Sequence, residues 1–289
     1  MPNDIPYMGY DRAGLDGQYN NREMVADHQE IAGRWARDGA DVRAQATSQL
    51  DISFGPSPAE VLDVFIPEGS GPFPINVFLH GGYWYSRHKD DFSVIANTFL
   101  PAGAISVIVN YALVPEVPLA ELVRQCRAAV AWTHANVAQF GGDAERLYVT
   151  GHSAGGHLVA MMLATDWSTF AGGPADLLKG GLAISGIFDL TPMRLCYLDD
   201  HLHLTTEDIK TLSPLTLDPK VPAPLIAAYG GAESDEFHRQ AATLAEAWRN
   251  KDAQVLELEI EDANHFTILD ELMTPGSALN RVQLGQMGL

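Results

Sequence analysis

A repeated alternation of short apolar runs with longer helical stretches constrains this chain more than any other feature. Runs of β-branched and apolar residues occur at 61–66, 75–79, 105–109 and 147–149, each bounded by glycine, proline or charge. Runs that are apolar at nearly every position, instead of every second one, belong to strands buried on both faces. Between them, 119–140 is the clearest helical stretch, with Leu122, Val123, Cys126, Ala129, Val130 and Thr133 at three- and four-residue intervals. The alternation resumes with 181–187, 225–229, a helix around 237–249 and the run 255–260. Strands and helices in turn need crossover connections, which call for an α/β fold: a mostly parallel central sheet with helices on both faces.

Two regions depart from this rhythm. Residues 1–50 read as a helical leader: Met24, Val25, Ile31 and Trp35 fall at roughly helical spacing within 20–39, and Gly39 reads as a helix stop. Residues 190–219 contain several prolines, His201 and His203, with weak periodicity, and read as a small cap insertion. No internal repeat or linker divides the rest, so residues 1–289 are expected to form one domain.

Composition narrows the partners. With 18 Lys+Arg against 37 Asp+Glu the formal charge is −19, which repels phosphate backbones and anionic lipid. Neither nucleic acid nor a membrane is expected as a partner; a small-molecule substrate is, and a homodimer is compatible with the sequence. Cys126 and Cys196 are too few for a disulfide framework or zinc site and read as reduced thiols. The opening stretch 1–7 has neither a basic nor an apolar targeting region, and no 18-residue apolar run occurs. The expectation is a soluble cytoplasmic protein.

Within RLYVTGHSAGGHLVAMMLA, Gly151-His152-Ser153-Ala154-Gly155 forms a G-x-S-x-G motif between a strand-like run and a helix-like one. Glycines on either side permit a cramped turn that lifts Ser153 Oγ clear of the backbone, with a helix N-terminus beside it. A serine hydroxyl needs a base, and His265 follows the last strand-like run, where this kind of fold places one. A carboxylate must then orient the imidazole. Glu233, after 225–229 and a glycine turn, is the first choice; Asp235, two residues on, and Asp189, after an earlier strand, remain open.

Acyl transfer also needs backbone donors for an oxyanion. His80-Gly81-Gly82-Tyr83-Trp84 follows the run 75–79, so the amides of Gly82 and Tyr83 are expected to join that of Ala154.

These motifs together resemble the α/β-hydrolase superfamily, and the 80–84 segment is similar to the HGGxW signature of the kynurenine formamidase (arylformamidase) family. Tyr19-Asn-Asn-Arg22, Ser185-Gly-Ile-Phe-Asp-Leu190, Ser213-Pro214 and Glu233-Ser-Asp-Glu-Phe-His-Arg-Gln240 match segments of that family in the same order, so the resemblance spans about residues 15–270. It implies Ser153 as nucleophile, His265 as base, and Glu233 where the family usually carries Asp.

The function so implied is a serine hydrolase that removes a small acyl group, formyl above all, from an aryl amide such as N-formylkynurenine. Trp84 and Tyr83 are expected near the wall of a tight acyl side of the substrate pocket, and Tyr19, Phe188 and Tyr197 along the side of the large aromatic leaving group. A carboxylesterase for small acyl or aryl esters would use the same triad, and a noncatalytic ligand-binding protein could use the same fold. The chemistry calls for no cofactor. Asp199, Asp200, His201 and His203 are read as solvated cap residues, so no metal is expected, and His152 and His157 as packing or supporting residues.

Overall fold

The computed structural model describes residues 7–289; the stretch 1–6, most of the segment read for targeting signals, lies outside the described residues. Eight strands form a single sheet: β1 (Ser48–Ser53), β2 (Val61–Phe65), β3 (Phe73–Leu79), β4 (Ile105–Val109), β5 (Gly142–His152), β6 (Gly180–Ile184), β7 (Leu225–Gly230) and β8 (Val255–Ile260). Their order is β1-β2-β4-β3-β5-β6-β7-β8. From β4 to β8 every pairing is parallel, while β1 with β2 and β2 with β4 are antiparallel. β4 and β6 are buried at every position, which accounts for their unbroken apolar runs.

Alternate side chains of the central strands feed two cores. Val77, Leu79, Leu147 and Val149 pack with Leu122, Val130 and Leu158 from helices Leu119–Asn136 and Ala154–Leu163. On the other face Phe78, Tyr148, Leu182 and Ile226 pack with Trp35, Phe92 and Leu269. The sheet is therefore covered on both sides, as the alternation of strand and helix requires. Among the described residues, no helix is long and apolar enough to cross a membrane, and Cys126 and Cys196 are both free and buried.

The leader differs from its sequence reading. It holds three helices, Arg12–Tyr19, Asn21–Met24 and His28–Gln45, followed by β1, an edge strand with no apolar run to announce it. Gly39 does not stop the third helix, which continues to Gln45. A Cβ at Gly39 would lie 3.1 Å from the Val94 backbone nitrogen, so the glycine serves close packing against the segment Lys89–Ile95. The 190–219 region is a string of short helices, Thr191–Leu195, Asp199–Leu202 and Thr206–Leu212, with a 3₁₀ turn at Pro214–Thr216.

Candidate active site

β5 ends at His152, helix Ala154–Leu163 starts at Ala154, and the turn between them is one residue, Ser153, at φ 58° and ψ −118°. Such a conformation is disfavoured for any residue with a Cβ and persists only where its surroundings enforce it. The two motif glycines make it possible. A Cβ on Gly155 would lie 1.9 Å from the Leu79 carbonyl oxygen, and one on Gly151 would lie 2.2 Å from the Gly155 carbonyl oxygen. The Ser153 amide donates to the Ile184 carbonyl at 2.8 Å, fixing the turn to β6.

Three side chains far apart in sequence converge here. Ser153 Oγ lies 3.0 Å from His265 Nε2, and His265 Nδ1 lies 2.5 Å from Glu233 Oε1. Ser153, His265 and Glu233 are all buried. With Nδ1–H donating to the carboxylate, Nε2 is left to accept from the serine hydroxyl, the tautomer a general base needs. The second oxygen of Glu233 accepts from Ser185 Oγ at 2.7 Å and from the Gly230 amide at 2.8 Å. Those two donors hold the longer glutamate side chain against the imidazole.

The other two candidate acids are elsewhere. Asp235 is exposed at the start of helix Asp235–Arg249. Asp189 accepts from the Tyr7 hydroxyl at 2.7 Å and from the Thr191 amide at 2.9 Å.

His152 anchors the histidine loop: its Nε2–H donates to the His265 carbonyl oxygen at 2.7 Å. Burial, reinforced by the neighbouring His265, pushes its pKa down to about 3, so the ring stays neutral. His157 is neutral as well, lowered to about 4 chiefly by burial. It accepts from Trp84 Nε1–H at 3.2 Å and donates through Nε2 to the Leu212 carbonyl at 2.8 Å, bridging the 80–84 loop and the cap.

The 80–84 loop crosses close above the serine turn: a Cβ at Gly81 would lie 2.7 Å from the His152 carbonyl oxygen. Gly82 has φ +119°, and a Cβ there would lie 2.2 Å from the Ser86 carbonyl oxygen. Tyr83 follows with φ 49°. Among the described residues the amides of Gly82 and Tyr83 enter no backbone hydrogen bond, and Ala154, first residue of its helix, has no intrahelical acceptor. These are free donors of the kind an oxyanion requires.

Beside Ser153 lies a cavity of about 60 Å³, lined by Gly81, Gly82, Tyr83, His152, His265 and Phe266, with Asn21, Arg22, Trp35, Arg87 and Phe92 contributing from the leader and the 87–92 segment. Of the five aromatic residues read as pocket walls, Tyr83 lines it and Trp84, Tyr19, Phe188 and Tyr197 do not. Trp84 is fully buried against His157. Tyr19 is also buried, donating to Glu236 Oε2 at 2.6 Å. Phe188 packs over Gly186, where a Cβ would meet its Cζ at 2.3 Å, and Tyr197 is held at the Arg12–Tyr19 helix by its amide to Asp16 Oδ1 at 2.7 Å. Large aromatics near a site serve the core at least as often as the ligand.

Sequence reading missed Trp35, Arg87, Phe92 and Phe266 as lining residues, and Ser185 as partner of the acid. Asn21, Arg22 and Ser185 had one available signal, because they fall in segments shared with the formamidase pattern. In the cap, Asp200 pairs with Arg12 at 2.9 Å and Asp199 accepts from the Leu204 amide at 2.8 Å. No group of three or more potential metal ligands occurs among the described residues.

Comparison with known proteins agrees with this geometry. The BD-FAE family model matches residues 62–194. Kynurenine formamidase of Danio rerio is 31% identical over 255 residues, covering 85% of each chain. The chain belongs to the kynurenine formamidase family. Other relatives of this formamidase-family chain are esterases: the carboxylic ester hydrolase LipN of Mycobacterium tuberculosis is 31% identical over 173 residues, 57% of this chain and 45% of LipN. Among solved structures, a protein from Silicibacter sp. tm1040 provisionally described as a thioesterase superposes with TM-score 0.82 at 31% identity, covering 93% of this chain and 98% of the other. The hyperthermophilic esterase of Pyrobaculum calidifontis, 16% identical, shares the fold with TM-score 0.72 over 98% of this chain and 99% of its own. The formamidase-family chain is thus a hydrolase with the α/β-hydrolase fold.

Proposed function

We propose that this protein is a serine hydrolase that removes a formyl group from an aryl formamide of the N-formylkynurenine kind, with Ser153 as nucleophile, His265 as general base and Glu233 as the acid that orients it. The observation carrying this reading is the continuous chain from Ser153 Oγ through His265 to Glu233, at 3.0 and 2.5 Å. The formyl preference is supported by the small space beside Ser153, about 60 Å³, and by the whole-chain similarity to Danio rerio kynurenine formamidase.

In the reaction, His265 Nε2 takes the Ser153 proton as Oγ adds to the formyl carbon. The amides of Gly82, Tyr83 and Ala154 receive the developing oxyanion. The imidazolium, stabilised by Glu233, then gives its proton to the departing aryl amine. Water, deprotonated by the same imidazole, adds to the formyl-serine, and formate leaves as Ser153 regains its proton.

The test is a comparison of kcat/KM for N-formylkynurenine with those for p-nitrophenyl acetate and butyrate. A formamidase favours the formamide once the greater intrinsic reactivity of the activated esters is discounted. Higher kcat/KM for butyrate than for acetate would identify a carboxylesterase instead. Absence of turnover with all three would mark a noncatalytic binding protein.

A further inference from the structure

We propose that Arg22 and Arg87 form a cationic rim on the Ser153 cavity that selects substrates carrying a carboxylate on the leaving group. The proposal rests on the reading of Ser153 as nucleophile. The two arginines stand 65 positions apart in the chain, yet both line the cavity that contains Ser153 and His265. Both also line an adjoining open groove with His28, Gln29, Ser86 and Asp91.

Neither guanidinium makes an ion pair or a side-chain hydrogen bond to a described residue. Arg43, Lys89, Arg124 and Arg239 engage carboxylates, whereas Arg22 and Arg87 keep their donors unpaired beside the cavity. Asp91 is the one acid among the groove's lining residues, against two arginines, so the groove keeps a surplus of positive charge.

Both arginines are tied to the loop that bears the oxyanion donors. Arg87 has φ 81°, a conformation that residues other than glycine avoid. Its Cγ would lie 2.9 Å from a Cβ on Gly82, so the absence of that Cβ admits the arginine stem beside the donor loop. Such strain is retained where the position of a side chain matters. Arg22 follows Asn21, which is buried and donates from Nδ2 to the Tyr83 hydroxyl at 3.0 Å. Planar guanidinium groups with free N–H donors pair with a carboxylate through two parallel hydrogen bonds. The inner cavity is small, so a charged leaving group belongs at this rim.

The experiment measures kcat/KM for phenyl acetate and for its carboxylate analogue 3-acetoxybenzoate, using wild-type protein, Arg22→Gln, Arg87→Gln and the double variant. Expressed as the anionic-to-neutral ratio, intrinsic ester reactivity cancels between proteins. Each single substitution lowers the ratio about fivefold and the double variant more than tenfold, the scale of a lost charge-assisted hydrogen bond at a partly exposed site. Arg87→Lys restores most of the ratio, and Arg22→Gln, at an exposed position, keeps the test readable if the Arg87 loop is sensitive. Raising ionic strength from about 20 mM to about 0.5 M lowers the wild-type ratio but not that of the double variant. An unchanged ratio in the double variant overturns the proposal, as does a wild-type ratio that rises with salt, the sign expected from the −19 net charge acting alone. Absence of turnover of both esters together with no fluorophosphonate label on Ser153 would instead overturn the nucleophile reading, and the rim with it.

Discussion

Glu233 meets His265 Nδ1 at 2.5 Å with one carboxylate oxygen, while Ser185 and the Gly230 amide hold the other at 2.7 and 2.8 Å. Glutamate is one methylene longer than aspartate, and the two donors on Oε2 hold the longer side chain in this geometry.

The first prediction follows from that pairing. Glu233→Gln keeps the volume but presents the imidazole with an amide that no longer enforces the reactive tautomer, so kcat for a small aryl ester falls about 10³- to 10⁴-fold. Ser185→Ala removes one anchor only and lowers kcat about three- to tenfold, corresponding to about 1 kcal/mol. Steady-state kinetics of both variants, with circular dichroism to confirm folding, checks the ordering.

The second concerns the serine turn. Gly155→Ala places a methyl group 1.9 Å from the Leu79 carbonyl oxygen, a clash with backbone that no side-chain rotation relieves. The variant is destabilised by more than about 3 kcal/mol and accumulates in the insoluble fraction. Soluble Gly155→Ala protein with an unchanged urea midpoint would show that the turn has more room than this.

The third is a dependence of stability on pH. Burial lowers the pKa of His80 to about 4, His152 to about 3 and His157 to about 4, from an ordinary value of 6.5. Because the folded pKa values are depressed, the unfolded chain binds protons first as pH falls. The stabilisation present above pH about 6.5 is lost progressively towards pH 3–4. Three such groups make the protein about 3–4 kcal/mol less stable at pH 5.5 than at pH 7, measured by urea unfolding.

The fourth assigns Trp84 to packing. Trp84→Phe leaves His157 Nδ1 without its 3.2 Å donor and opens space in a fully buried site. The expected loss is about 2–3 kcal/mol, read as a lower urea midpoint with an unchanged slope.

The parts legible in the sequence were those governed by local pattern. The runs 105–109 and 255–260 coincide with β4 and β8, and G-x-S-x-G lies where strand gives way to helix, because burial periodicity and turn sterics act over a few residues. Relations across the fold were not legible. β1 is mostly exposed and carries no apolar signature; Gly39 answers to the backbone of Val94 and not to its own helix; and the cavity wall is assembled from the leader, the 80–92 region and the loop after β8. For the same reason Tyr19 and Phe188, though close to the motifs in the family pattern, could not be separated from core aromatics before their partners Glu236 and Gly186 were visible.

The central claim, a nucleophilic hydroxyl at Ser153 activated by His265, is tested most directly by labelling with a fluorophosphonate and locating the adduct by peptide mass spectrometry. One adduct is expected, on Ser153, absent in Ser153→Ala and formed at least about 10³-fold more slowly in His265→Ala. Catalytic turnover accompanied by modification at another residue, or equal labelling rates with and without the imidazole, would contradict it.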